Sequence, residues 1–138
     1  MKKLVLSLCL VLFVVGSAIT QSTHFTIEPT LIEHMEEDGE DVIEGHKFFF
    51  NLEESVIRYV INIPNEEAKF FITDVLAYDI KINEEYDMYV YKIYVDKGEN
   101  RYTIFDVAVK RDYSWGGIWV SDYYLQGHNI EDLNESRK

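Results

Sequence analysis

The stretch from Glu33 to His46, EHMEEDGEDVIEGH, holds seven carboxylates and two histidines and neither lysine nor arginine. Oxygen-rich segments of this kind bind hard cations, and two imidazoles add the option of zinc. A twelve-residue calcium loop needs oxygen ligands at alternate positions, glycine at the sixth and a bidentate carboxylate at the twelfth. With Gly39 in sixth place, the first position falls on His34 and the twelfth on Gly45, so the closing ligand is missing. The separation of His34 from His46 matches no recurrent zinc spacing. The stretch is expected to be a hydrated acidic loop joining two strands, and no metal is assigned.

Catalysis finds little more. His24, His34, His46 and His128 could serve as bases and Ser55, Ser114 and Ser121 as nucleophiles, but none stands in a recognisable nucleophile frame. Asp74, Asp79 and Asp106 are candidate acid–base carboxylates. Asp106 falls opposite Tyr91 in the hairpin register set out below, where an apolar partner is expected, and apolar surroundings raise a carboxyl pKa. Lys92 and Lys110 could neutralise it. No catalytic residue and no cofactor is assigned, and a carboxylate-based hydrolase ranks last of three readings.

The two ends of the chain place it in the cell. Met1-Lys2-Lys3 runs into the apolar stretch Leu4 to Val15 and then into Gly16, Ser17 and Ala18, the layout of a secretory leader. Residues 1–18 are expected to be removed, with cleavage after Thr20 as the alternative, and the apolar run falls short of the ~20 residues a spanning helix needs. No second such run follows, so no transmembrane segment is expected in the mature chain. Cys9, the only cysteine, lies inside the leader. A cysteine-free mature chain excludes disulfides, thiol catalysis and thiolate zinc sites. Small exported domains of eukaryotes usually carry disulfides, which favours a bacterial periplasm, envelope or secreted location. Without Lys2 and Lys3, 11 basic side chains face 25 acidic ones, a net charge of about −14. Such a chain repels phosphate backbones, which argues against a nucleic-acid partner.

The elements that must position any site read as strands. Only Pro29 and Pro64 occur, there is no visible linker, and β-branched and aromatic runs alternate with Asn, Asp, Glu and Gly. Ser55 to Ile63 alternates with a period of two and ends at Pro64. Ala68 to Ile82 continues extended, with a bend or bulge expected near Thr73 and Asp74. Met88 to Lys110 reads as a hairpin; a two-residue loop at Gly98-Glu99 would set Val95 against Tyr102, Ile93 against Ile104 and Val90 against Val107. Ile118 to Leu125 reads as a last strand after a Trp115-Gly116-Gly117 turn, with Trp115 and Trp119 plugging one end of the core. Thr23 to Ile27 and Lys47 to Leu52 read as strands, Leu31 to Met35 as strand or helical turn. The expected fold is all-β, a single antiparallel meander of about seven or eight short strands over residues 21–125, rolled into a small barrel or folded as a sandwich. Residues 126–138 are expected to be a polar, frayed tail.

Two groups of side chains are candidates for contact. Tyrosines crowd the central hairpin, and Tyr89 and Tyr94 are taken as surface positions able to meet a protein or a glycan. Phe48, Phe50, Ile61, Phe70 and Phe105 are the candidate lining of a cavity for a small apolar molecule. Gly117-Ile118-Trp119 resembles the Gly-x-Trp element of lipocalins, and Ser121-Asp122-Tyr123 resembles their later Asp-Tyr element. In that family the two lie far apart with the first near the mature N-terminus. Here they adjoin each other near the other end, so no membership is drawn. The leading expectation is a small exported β-domain that binds or interacts at the envelope or outside the cell, and a lipocalin-like carrier is second.

Overall fold

The computed structural model describes residues 22–36 and 39–134; the expected leader, Glu37 and Asp38 of the acidic stretch, and residues 135–138 lie outside the described residues. The chain forms β1 (His24–Glu28), β2 (Leu31–His34), β3 (Glu40–Val42), β4 (His46–Asn51), β5 (Val56–Ile61), β6 (Lys69–Asn83), β7 (Met88–Gly98), β8 (Arg101–Lys110), β9 (Gly116–Val120), β10 (Tyr123–Gly127) and β11 (Asn129–Asp132). All pair antiparallel in the order β11-β1-β4-β5-β6-β7-β8-β9-β10-β2-β3. The all-β antiparallel class is therefore as expected. The count and the closure are not: among the described residues eleven strands lie in an open order ending at β11 and β3, not about seven or eight in a closed barrel.

The extra strands arise because long segments are broken. Pro29 has no N–H for a ladder and separates β1 from β2, while Gly127-His128 separates β10 from β11. Pairing nevertheless keeps one register, from Phe25 with Asp132 to Glu28 with Asn129, then from Leu31 with Gln126 to His34 with Tyr123. The Thr30 N–H donates to the Gln126 carbonyl at 2.9 Å between the two ladders. β1–β2 and β10–β11 are thus arms of one bent hairpin, whose halves join opposite ends of the strand order. The tail expected to fray instead supplies β11, because the edge of β1 takes Asn129–Asp132 as its partner.

Within that order the sheet curls over itself. Phe25 on β1 meets Tyr91 on β7 with ring centroids 4.9 Å apart, although β4, β5 and β6 separate them in the order. Around this contact Ile27, Phe50, Ile57, Ile93, Val107, Val109, Ile118 and Leu125 are buried in one cluster. The Tyr91 hydroxyl, held inside, donates to the Ser22 carbonyl at 2.8 Å. That bond matters because an unpaired buried hydroxyl costs more than the bond itself contributes.

The central hairpin exists, but its turn lies one residue beyond the expected one. Glu99 and Asn100, both at positive φ, form the two-residue loop, as a primed turn demands. Gly98 at φ 79° sits at a register shift between Asp96 and Gly98, a conformation that glycine adopts without steric cost. Since the side-chain period is two, this one-residue slip changes every facing. Val95 faces Thr103, Ile93 faces Phe105, Val90 faces Ala108, and Tyr91 faces Val107. Asp106 accordingly lies exposed on the outer face between Lys92 and Trp119, not opposite Tyr91.

The expected last strand is two, β9 and β10, joined at Ser121-Asp122 with Ser121 at φ 54°. Gly116 and Gly117 belong to β9, and the preceding turn is closed by the Lys110 N–H donating to the Trp115 carbonyl at 2.9 Å. Trp115 and Trp119 do not plug the core. Both are half-buried; Trp119 pairs with the exposed Asp106 and stacks on Tyr124 at 4.7 Å, and the Trp115 indole N–H donates to Gln126 Oε1 at 3.1 Å.

Candidate interaction surface on β6

Lys69 to Asp74, KFFITD, is extended because aromatic and β-branched residues suit a pleated strand, and β5 fixes its register through pairs from Ile61–Lys69 to Val56–Asp74. The Val75 N–H donates to the Ser55 carbonyl at 2.9 Å in the same ladder. Backbone groups alternate along a strand, so Thr73, Phe71 and Lys69 also direct theirs at β5. Phe70 and Ile72 direct theirs the other way. On that side β7 begins to pair only at Val75, and the register shifts between Val75 and Ala77. The expected bulge is therefore present, a residue or two after Thr73 and Asp74, and it forks β6 away from the tip of the β7–β8 hairpin.

The fork leaves apolar side chains in water on both faces. Phe70, Phe71 and Ile72 are 70%, 53% and 68% exposed. On the outer face Phe70 and Ile72 join Val60, Phe49 and Arg58 around a shallow groove of about 250 Å³. Lys47 lies 5.2 Å from the Phe49 ring centroid, so this face of β4–β6 carries two cations in an otherwise acidic chain. A second hollow, about 430 Å³, separates Leu76 from Asp96 and the Glu99-Asn100 turn. Three adjacent large apolar residues open to solvent form a candidate contact surface.

On the inner face the strip continues an aromatic row out of the core. Phe25 stacks on Phe50 at 4.9 Å, Phe50 lies 6.1 Å from Phe48, Phe48 4.3 Å from Tyr59, and Tyr59 5.9 Å from Phe71. His46 Nδ1 and the Tyr59 hydroxyl share a short hydrogen bond beside this row. Burial holds the His46 imidazole below its ordinary pKa and lifts the Tyr59 phenol above its own, so both stay uncharged near neutrality.

The residues singled out from sequence disperse. Tyr89 is not a surface position: it is 3% exposed, in the core, with the Arg111 guanidinium 5.9 Å from its ring centroid. Tyr94 lies on the outer face with its ring 5.7 Å from Tyr102. Phe48 and Phe50 belong to the packed cluster with Phe105 against it, Ile61 is half-buried at the end of β5, and Phe70 faces outward. The five do not surround a common space. Phe71 and Ile72 are not among the candidates the sequence suggests, yet three consecutive large apolar residues in a strand necessarily put some on each face.

The acidic stretch forms the β2–β3 pair, in which Glu33 stands directly across from Glu40. Burial, helped by these two carboxylates, raises the pKa of the neighbouring Tyr124. His34 packs edge-on to Tyr123 at 4.9 Å, and its buried Nδ1 has no hydrogen-bond partner. His46 pairs with Ile61 on another part of the sheet. Among the described residues no three histidine, cysteine or acidic side chains converge on a cation position. No helix among them is long and apolar enough to cross a membrane.

Compared with known protein families, curated proteins and solved structures, the chain matches none.

Proposed function

We propose that this chain is a small exported β-domain that acts as a binding or interaction module at the cell envelope or outside it, and that it makes contact through the forked part of β6. The observation that carries the reading is the exposed run Phe70-Phe71-Ile72, which leaves apolar area in water on both faces of one strand. Burying such a side chain is worth about 1.5–3 kcal/mol each, so a partner gains from covering it. The leader-like N-terminus supports export, and the net charge argues against nucleic acid.

The test is a photoreactive side chain placed at Phe70, with Lys81 farther along the same strand as control. Irradiation in the producing cells is expected to give an adduct of defined mass from position 70 that position 81 does not give. Identical patterns, or none at either, would reject the surface.

A second reading, the carriage of a small apolar molecule, draws on the aromatic row that reaches solvent at Tyr59 and Phe71. It requires saturable one-to-one binding of a neutral apolar dye, weakened by Tyr59→Ala.

A further inference from the structure

We infer that the partner at the fork is a second copy of this chain, docked antiparallel along the open edge of β6; the inference rests on the contact surface proposed above. The open edge runs beside Phe70 and Ile72, whose N–H and carbonyl groups point away from β5. Strand edges of this kind accept another strand. A two-fold axis perpendicular to the sheet pairs a residue with itself, and placing it at Phe71 satisfies the edge chemistry. Phe70 of each copy then faces Ile72 of the other as a hydrogen-bonding pair, and the two Phe71 side chains face each other across a non-bonded position.

The register is self-complementary. On the outer face it sets Phe70 against Ile72 twice, and on the inner face Phe71 against Phe71, so the three exposed apolar residues all find apolar partners. In this register Lys69 faces Thr73 on the inner face and Asp74 faces Ala68 on the outer one, so no like charges stand directly opposed within the strip. Overall charge opposes association, since the whole chain is at −12. Lys69–Asp74 itself is neutral in sum, and the adjoining outer face carries Lys47 and Arg58. The other two edges are poorer hosts: β3 is the three-residue Glu40-Asp41-Val42, and β11 carries Glu131 and Asp132 in four residues.

The register can be read by oxidation. In a Cys9→Ser background, Phe71→Cys places two thiols at a non-bonded pair, where Cα atoms lie about 4.5 Å apart and a disulfide closes without backbone movement. Mild oxidation is expected to crosslink Phe71→Cys at least ~10-fold more than Thr73→Cys, whose thiols lie two positions to either side of the axis. Sedimentation of the unmodified protein is expected to show twice the chain mass at high concentration. Ile72→Pro deletes an N–H aimed at the second copy while sparing the β5 ladder, and should restore the single-chain mass; Ile72→Ala should leave dimer detectable. Equal crosslinking from positions 71 and 73, or a single-chain mass at all concentrations, would overturn the inference. If the position-70 adduct then carries a different mass, the contact surface stands and only the identity of its occupant falls.

Discussion

β6 and β7 are neighbours in the middle of the strand order, with similar apolar content, yet they live in different solvents. Tyr89, Tyr91, Ile93 and Val95 of β7 are all buried, whereas Tyr78 and Ile82 of β6, on the same face of the sheet, are 40% and 41% exposed. Position within a sheet therefore does not decide burial. What decides it is what covers the strand: β1 folds onto β7 through Phe25 and Tyr91, and Tyr78 and Ile82 of β6 stay partly in water. The bulge at Val75/Ala77 completes the difference by ending the ladder with β7 before Lys69–Asp74, whose link to the hairpin is then the Thr73 hydroxyl donating to the Asp96 carbonyl at 3.3 Å. β7 alternates between core and surface along its length, whereas β6 gives Val75 to the core and leaves Phe70, Phe71 and Ile72 in water.

Amide hydrogen exchange offers the largest contrast. In dilute protein the Phe70 and Ile72 amides should exchange almost freely, Phe71 and Thr73 should be slower, and amides along β7 from Tyr89 to Ile93 should approach global protection, a spread on the order of 5 kcal/mol. Uniform protection along Lys69–Asp74 in monomer would remove the fork. Side-chain truncation comes next. Tyr91→Ala should cost about 3–5 kcal/mol in urea unfolding, and Ile72→Ala should stay within about 0.5 kcal/mol. Equal losses would abolish the distinction between the two strands. Tyr91→Phe isolates the hydroxyl bonded to Ser22 and should cost about 1 kcal/mol.

The smallest effect is a titration. Burial holds His46 below 6.5, so as pH falls the unfolded chain takes up its proton before the folded one. Its contribution to stability is whole above 6.5 and is lost progressively as pH drops from there to the lowered folded pKa. His46→Asn should flatten the stability profile in that window, and the ring-proton midpoint seen by NMR should lie under 6.5. A midpoint above it would place the imidazole in water, away from Tyr59.

Local periodicity made much of the fold legible. The strand propensity of Val56 to Ile61 is plain in the sequence, and the run ends short of Pro64. The hairpin is visible in its β-branched and aromatic runs. Its register was not, because Gly98-Glu99 and Glu99-Asn100 are both acceptable turns: the step between them moves the pairing by two residues, the bulge at Asp96/Gly98 takes one back, and Asp106 ends opposite Lys92 instead of Tyr91. β11, Asn129-Ile-Glu-Asp, has no strand propensity of its own and exists because β1 needs a partner on that edge. The candidate surface is half legible: the sequence suggests Phe70 as a cavity wall, but inside and outside look alike in a run apolar at every position. Only the β5 pairing and the fork assign the faces.

The bent hairpin has a consequence for biogenesis. Ser22 donates to the Asp132 carboxylate at 2.8 Å across 110 positions of sequence, so the earliest strand synthesised waits for the latest. Until the last dozen residues emerge, β1 has β4 but lacks its second neighbour, and long-range closure of this kind is slow. A nascent chain that cannot finish its sheet stays extended and reachable by other factors until those residues arrive.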